Sequence, residues 1–302
     1  MSERLGRMIT FIAAAAPAFA IGTHVPNVSA QATSTSQPAS QPQGGRGGRG
    51  APPAPLPTGR IGAPVDLTGV WVSVVTEDWE YRMRTPPKSD VGAGVGIPPG
   101  FGAIPLNAAG MAAANAWDPA TDGQCEAYGV GGIMRMPGRL KISWQDDLTL
   151  KIETDAGVQT RLLHFVPPLG QAGPAVASDK GARTLQGYSV AEWQRGVGFD
   201  AFGLGLTPER GAGPPRWGSL TVVTTNMLPA WLRRNGVPYS DKATITEHFA
   251  RFTHPEAGDW FVVTTVVEDP TYLTQTFITS SNFKKEVNDS KWDPKPCRPS
   301  QR

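Results

Sequence analysis

The residues of this chain best suited to chemistry are charged and imidazole side chains set within apolar, strand-like runs. Two runs carry them. In Arg161-Leu162-Leu163-His164-Phe165, a period of two puts Arg161 on one face with Gln159, Leu163 and Phe165. It puts His164 on the other face with Thr160 and Leu162. An unpaired charge is costly in a dry core. Arg161 therefore lines a cavity, or it faces solvent and His164 is a core histidine. The second run is Ala243 to Phe252, where Ile245, Glu247, Phe249 and Arg251 share one face and Thr246, His248 and Ala250 the other. A turn at Thr253 pairs this run with Asp259 to Val267. A simple register then sets Glu247 opposite Thr264 and Arg251 opposite Trp260, with Glu268 on the same face. Glu247 and Glu268 are then either an acid/base pair or rim groups neutralised by Arg251 and Arg161. Either arginine can hold a planar pair of oxygens. His164 and His248 are the competing bases, and only one of Glu247 and His248 can enter a cavity. A one-residue slip in register exchanges the faces.

Loops supply a second set of candidates. Glu77, Asp78 and Glu80 surround Trp79, close to Tyr81, Arg82 and Arg84, a mixture that suits a pocket mouth or an amphipathic strand equally well. Tyr239 and Tyr272 sit in turn sequences and can orient or protonate an oxygenated ligand, although a buried tyrosine often only reaches a backbone carbonyl.

These side chains need a scaffold, and the chain supplies mostly strands. β-Branched and aromatic runs begin at Leu67, Arg139, Leu148, Val158, Arg183, Ser219, Ala243, Asp259 and Tyr272. Eight or nine strands, mostly neighbours in sequence, predict an all-β, antiparallel, closed or nearly closed barrel with long loops. Asn107 is placed to cap one short helix over residues 108–117. The excursion over 76–138 is too long for an ordinary connection.

Leu67-Thr68-Gly69-Val70-Trp71 resembles the Gly-x-Trp signature on the first strand of lipocalin-like barrels. The resemblance implies that Trp71 plugs one end of a barrel whose open end admits a small apolar ligand. The excursion after the first strand and the loop from Gly196 to Gly218 depart from that pattern. The chain also resembles exported proteins of Gram-negative bacteria, which implies location rather than chemistry.

The N-terminus reads as an export signal over residues 1–30: Arg4 and Arg7, an apolar run from Met8 to Ile21, then the small residues Val28-Ser29-Ala30. Residues 31–64 read as a Pro-, Gly- and Ser-rich linker, and the barrel domain is expected over 65–302. Removing Glu3, Arg4 and Arg7 lowers the formal charge from +2 to +1, which gives no footprint for nucleic acid. No later apolar run reaches the ~20 residues of a membrane span. Both cysteines, Cys125 and Cys297, follow Trp-Asp-Pro turns, and in an oxidising compartment they are expected to pair. Their spacing does not suggest a metal site, and no phosphate loop, His-Glu-x-x-His or Gly-x-Ser-x-Gly motif occurs. The expectation is a cofactor-free, periplasmic or secreted protein that binds a small organic molecule in a barrel cavity. Two other classes stay open: a cofactor-independent isomerase, lyase or hydrolase, and a carbohydrate or cell-envelope binding module.

Overall fold

A computed structural model describes residues 58–76, 79–92, 103–120, 125–166, 180–195 and 218–298. The expected signal segment, most of the linker, and Glu77 and Asp78 lie outside the described residues. In chain order the elements are β1 (Gly69–Val74), α1 (Trp79–Met83), α2 (Ala108–Ala116), a 3-10 turn (Glu126–Tyr128), α3 (Val130–Ile133), β2 (Arg139–Asp146), β3 (Thr149–Thr154), β4 (Ala156–Gly157), β5 (Thr160–Phe165) and β6 (Tyr188–Arg195). There follow β7 (Gly218–Thr225), β8 (Ala230–Arg233), β9 (Val237–Tyr239), β10 (Thr244–His254), β11 (Gly258–Glu268), β12 (Phe277–Lys285) and β13 (Lys295–Pro296). No described helix is long and apolar enough to cross a membrane.

Nine strands close into a barrel in the order β1-β12-β11-β10-β7-β6-β5-β3-β2. Every neighbouring pair is antiparallel except β5 with β6, which run parallel through Leu163↔Ser189 and Phe165↔Ala191. This corrects the expectation of a wholly antiparallel sheet. Directions cannot alternate around a ring of odd number, so one like-directed pair is unavoidable. The stretch between β5 and β6 exceeds the dozen or so residues that a parallel crossover requires. Several short helices, rather than one, occupy the excursion after β1. Of these, α2 is capped as expected: the Asn107 side chain accepts a hydrogen bond from the Gly110 N–H at 2.9 Å.

The hairpin register is the second correction. Glu247 lies opposite Thr265, and Arg251 opposite Phe261, one residue from the simple expectation. The cause is the turn. His254 pairs with Gly258 and leaves three residues between them, and Gly258 takes a positive φ of 78°. A three-residue loop closed by a left-handed glycine shifts the partner strand by one. Phe261, Val263, Thr265 and Val267 therefore point inward. Trp260, Thr264 and Glu268 lie on the outer face. The ninth strand also starts later than expected, at Phe277. The preceding Thr271–Leu273 segment is held by Asn107, whose N–H donates to Tyr272 O and whose side chain donates to Thr271 O.

The interior is filled by aromatic side chains. Trp71 meets Phe261 edge-on at 4.8 Å between ring centroids, and Phe261 stacks on Phe283 at 4.7 Å. Gly69 explains the local spacing of Gly-x-Trp. It has a φ of 117°, and a Cβ there would stand 3.0 Å from the Lys285 side chain, whose Nζ lies 5.4 Å over the Trp71 ring. Trp71, Phe249, Phe261, Val263, Leu163 and Leu220 have no water-accessible surface, so no water-sized void adjoins them.

Both ends of the barrel are covered. At one end α3 and the β8–β9 hairpin pack a second apolar cluster, including Leu232, Val237 and Tyr239, beneath the inward-facing Ile245 and Val267. The Cys125–Cys297 disulfide is formed there, with Cα atoms 5.2 Å apart, and β13 adds to β4 beside it. At the other end the segment 58–67 crosses the mouth and runs directly into β1.

Candidate functional site

Two groups of side chains stand out, one at each end of the interior. The first is an ion pair. Arg161 on β5 and Glu247 on β10 both face inward, as period two requires for residues alternating with Leu163 and Phe249. The guanidinium grips the carboxylate with both ends: Nη1–Oε1 is 3.1 Å and Nη2–Oε2 is 2.5 Å. Neither side chain has any exposed surface. Bidentate geometry is the strongest form of this contact. The Arg161 Nε is buried and has no hydrogen-bond partner. Tyr239 lies within the field of Arg161. Burial pushes its phenol well above the usual value, opposed by the Gly131 backbone N–H and by the Arg161 charge. It stays protonated.

The second group is an aromatic wall at the end of the barrel crossed by residues 58–67, here called the strap. Trp144 on β2 and Phe165 on β5 have ring centroids 5.5 Å apart, and Phe165 and Trp193 on β6 stack at 5.4 Å. The segment 58–67 lies across this end. Trp193 Nε1 donates to Gly59 O at 2.8 Å, and the Arg60 N–H donates to Asp147 O at 2.8 Å. Ala63 and Val65 pack against the same core as Trp144 and Leu148. A cavity of about 380 Å³ lies between the segment and the barrel, lined by Arg60, Ala63, Pro64, Val65, Asp66 and Trp144 among others. Its lining combines the Trp144 ring and small apolar side chains with one cation, one carboxylate and the Thr68 hydroxyl.

The residues expected from sequence divide between these places and the outer surface. Arg161 and Glu247 meet in the interior. Arg251 shares their face but lies at the rim, where its Nη2 pairs with Asp259 at 2.7 Å. Hydrogen bonds from Thr253 and Arg251 hold the Asp259 carboxyl below its usual range. His248 is on the outer face, with Nδ1 3.1 Å from Thr221 Oγ1. His164 is also on the outer face, stacked on Tyr188 at 4.9 Å, and burial lowers its pKa. Trp260, Thr264 and Glu268 lie outside the barrel because of the shifted register. Thr264 Oγ1 meets Ser280 Oγ at 3.3 Å, and the Trp260 indole donates to Ala257 O at 3.3 Å. Tyr272 lies against Gly110 of α2, away from the ion pair. Trp79 opens α1, and Glu77 and Asp78 lie outside the described residues. Among the described residues, no cluster of three or more His, Cys, Asp or Glu could hold a metal ion.

The aromatic wall escaped the sequence reading, although its signal was present. Leu140, Ile142 and Trp144 alternate inward, as do Ala191 and Trp193. The crossing segment gave no signal, because Thr58-Gly59-Arg60-Ile61-Gly62-Ala63-Pro64 reads as more linker.

No family model matches the chain, and no curated protein or solved structure matches it either.

Proposed function

We propose that this is an exported binding protein that takes a small, largely apolar organic molecule at the strap end of its barrel. The observation that carries the reading is a cavity of about 380 Å³ lined by Trp144, which leads the Trp144–Phe165–Trp193 stack, and by residues of the segment 58–67. A concave site that joins an aromatic ring and small apolar side chains to a few polar groups suits a small organic molecule. Flat rings recognise by area. Burying about 300 Å² of apolar ligand surface contributes roughly 7–8 kcal/mol at ~25 cal/mol per Å², which association costs reduce to affinities of about micromolar or weaker. Arg60 and Asp66 at the rim suit a ligand carrying one polar end. Export is supported by the signal-like N-terminus and by the Cys125–Cys297 bond, which persists in oxidising compartments.

An acid/base role for Glu247 finds less support. A general base must reach the proton it takes, and Glu247 is sealed and held by both ends of a guanidinium. The geometry favours a structural role for the pair.

Native mass spectrometry of protein recovered from its own compartment tests the reading, together with binding of the neutral fluorophore N-phenyl-1-naphthylamine. A bound apolar molecule is expected, and Trp144→Ala should weaken the fluorophore about tenfold, the loss expected when a stacking wall is truncated. Equal affinity in wild type and Trp144→Ala would place binding elsewhere.

A further inference from the structure

We infer that the cavity between the strap and the barrel takes a free α-amino acid with an aromatic side chain, held as a zwitterion. The inference rests on the binding reading above and names the ligand class of that same site.

The lining divides into one flat surface and two opposite charges. The flat surface is the half-buried Trp144 ring, and Ala63, Pro64 and Val65 of the strap complete the apolar part. The charges are Arg60 and Asp66, both exposed and both on the strap. They line one cavity without pairing. Among the described residues, no ion pair joins them or engages either one elsewhere.

Each charge is placed by its local backbone rather than by the other. Asp66 Oδ1 accepts the Thr68 N–H at 2.8 Å and the Thr68 hydroxyl at 2.7 Å. These bonds fix the carboxylate and leave its second oxygen for a ligand. Thr68 lines the cavity too. Its hydroxyl proton is committed to Asp66, so toward any other group its oxygen is an acceptor. Asp66 Oδ2 and Thr68 Oγ1 together suit an ammonium, which only donates. Arg60 is placed from the other side. Its N–H donates to Asp147 O at 2.8 Å, and its carbonyl accepts the Ala63 N–H at 3.3 Å. Gly59 permits that approach, because it has a φ of 60° and a Cβ there would stand 2.1 Å from Asp147 O. The Arg60 guanidinium only donates, in a planar fork that matches a carboxylate.

A site with one fixed cation and one fixed anion disfavours a ligand of either single sign, because each meets a like charge. An α-amino acid carries both charges on neighbouring groups at one end. Its side chain is left for Trp144, where an aromatic ring gains from ring-to-ring geometry beyond its area. The cavity of about 380 Å³ falls within the roughly 300–1,000 Å³ of small-molecule sites. The strap keeps its docked position throughout, since its own residues supply most of the lining.

Indoles that share a ring and differ in charge test the assignment: L-tryptophan as the zwitterion, tryptamine as the cation and indole-3-propionate as the anion. Each is titrated by calorimetry into the full mature chain near neutral pH, with N-phenyl-1-naphthylamine as the neutral reference. An exposed charge pair contributes up to about fivefold in affinity. L-Tryptophan should therefore bind about fivefold more tightly than tryptamine and about fivefold more tightly than indole-3-propionate. Arg60→Gln should remove the advantage over tryptamine. Asp66→Asn, which can still accept the Thr68 N–H, should remove the advantage over indole-3-propionate. Neither substitution should change the affinity for N-phenyl-1-naphthylamine, which also shows that the cavity is intact. If the neutral probe binds but L-tryptophan binds no tighter than the singly charged indoles, or keeps its advantage in both variants, the amino-acid assignment is overturned and the binding reading stands. Failure of the neutral probe and of every indole to bind wild type overturns the binding reading and the assignment with it.

Discussion

At the disulfide end, the barrel is closed by α3, the β8–β9 hairpin and the covalent link from Cys125 to the C-terminal tail, with the Arg161–Glu247 pair sealed beneath them. At the strap end, the cover is ten residues of Pro- and Gly-containing chain whose free end is docked through Gly59 and Arg60. The interiors differ in the same sense. One holds charges that demand a fixed partner, and the other holds the stacked rings of Trp144, Phe165 and Trp193. A buried ion pair is weak evidence for stability, because desolvation offsets much of the Coulomb gain, but its requirement for one geometry disfavours alternatives. The difference teaches that one end is held by a covalent bond and a geometry-demanding ion pair, whereas the other is covered by backbone docking and small apolar contacts, which is where the proposed ligand site lies.

The largest expected effect tests the disulfide end. Arg161→Met alone, or Glu247→Leu alone, leaves a buried charge without its partner and should lower stability by about 3–5 kcal/mol in urea denaturation. The double variant should recover most of that loss. If each single variant costs less than about 1 kcal/mol, the pair is not what fixes this end.

Removing the covalent link should come next. Cys125→Ser with Cys297→Ser frees a loop of 172 residues and should cost about 2–5 kcal/mol, without changing the affinity for N-phenyl-1-naphthylamine at the far end. A parallel loss of probe binding would show that the two ends are not independent.

At the strap, Trp193→Phe keeps the stack on Phe165 and removes the hydrogen bond to Gly59 O. We expect a loss of about 1 kcal/mol, read as roughly fivefold faster exchange of the Arg60 amide while β10 amides stay unchanged.

The smallest effect lies on the outer wall between the ends. Burial disfavours the charged form of His164 and lowers its pKa below the 6.5 of a solvated histidine. The unfolded chain then binds more protons in the window between the folded and unfolded values. Stability should fall as pH drops through about 6.5 toward the folded value. His164→Phe, which keeps a ring on Tyr188, should remove that slope from the melting temperature measured over roughly pH 7.5 to 5.5, the range in which histidine changes charge.

Much of this arrangement was legible in the sequence, because its cause is local. Period two placed Arg161 with Leu163 and Phe165 and Glu247 with Ile245 and Phe249, and all six face inward. The strand runs yielded nine barrel strands. What escaped depends on longer-range geometry. The position of Thr264 followed from counting residues through a turn, and the left-handed Gly258 altered the count by one. The parallel β5–β6 pair is dictated by closing an odd ring, which no single segment reveals. The strap shares its composition with the linker before it. Only Gly59 meeting Asp147 and Pro64 meeting Gly218 mark it as part of the barrel.

The central claim is that small apolar molecules enter at the strap end. Titrating N-phenyl-1-naphthylamine into the mature, nitrogen-15-labelled protein and following the tryptophan indole N–H signals tests it most directly. The account predicts that the Trp144 and Trp193 signals move together, saturating with the fluorescence, while those of Trp117 and Trp231 at the disulfide end stay in place. Movement of Trp117 or Trp231 with Trp144 and Trp193 unchanged would contradict it.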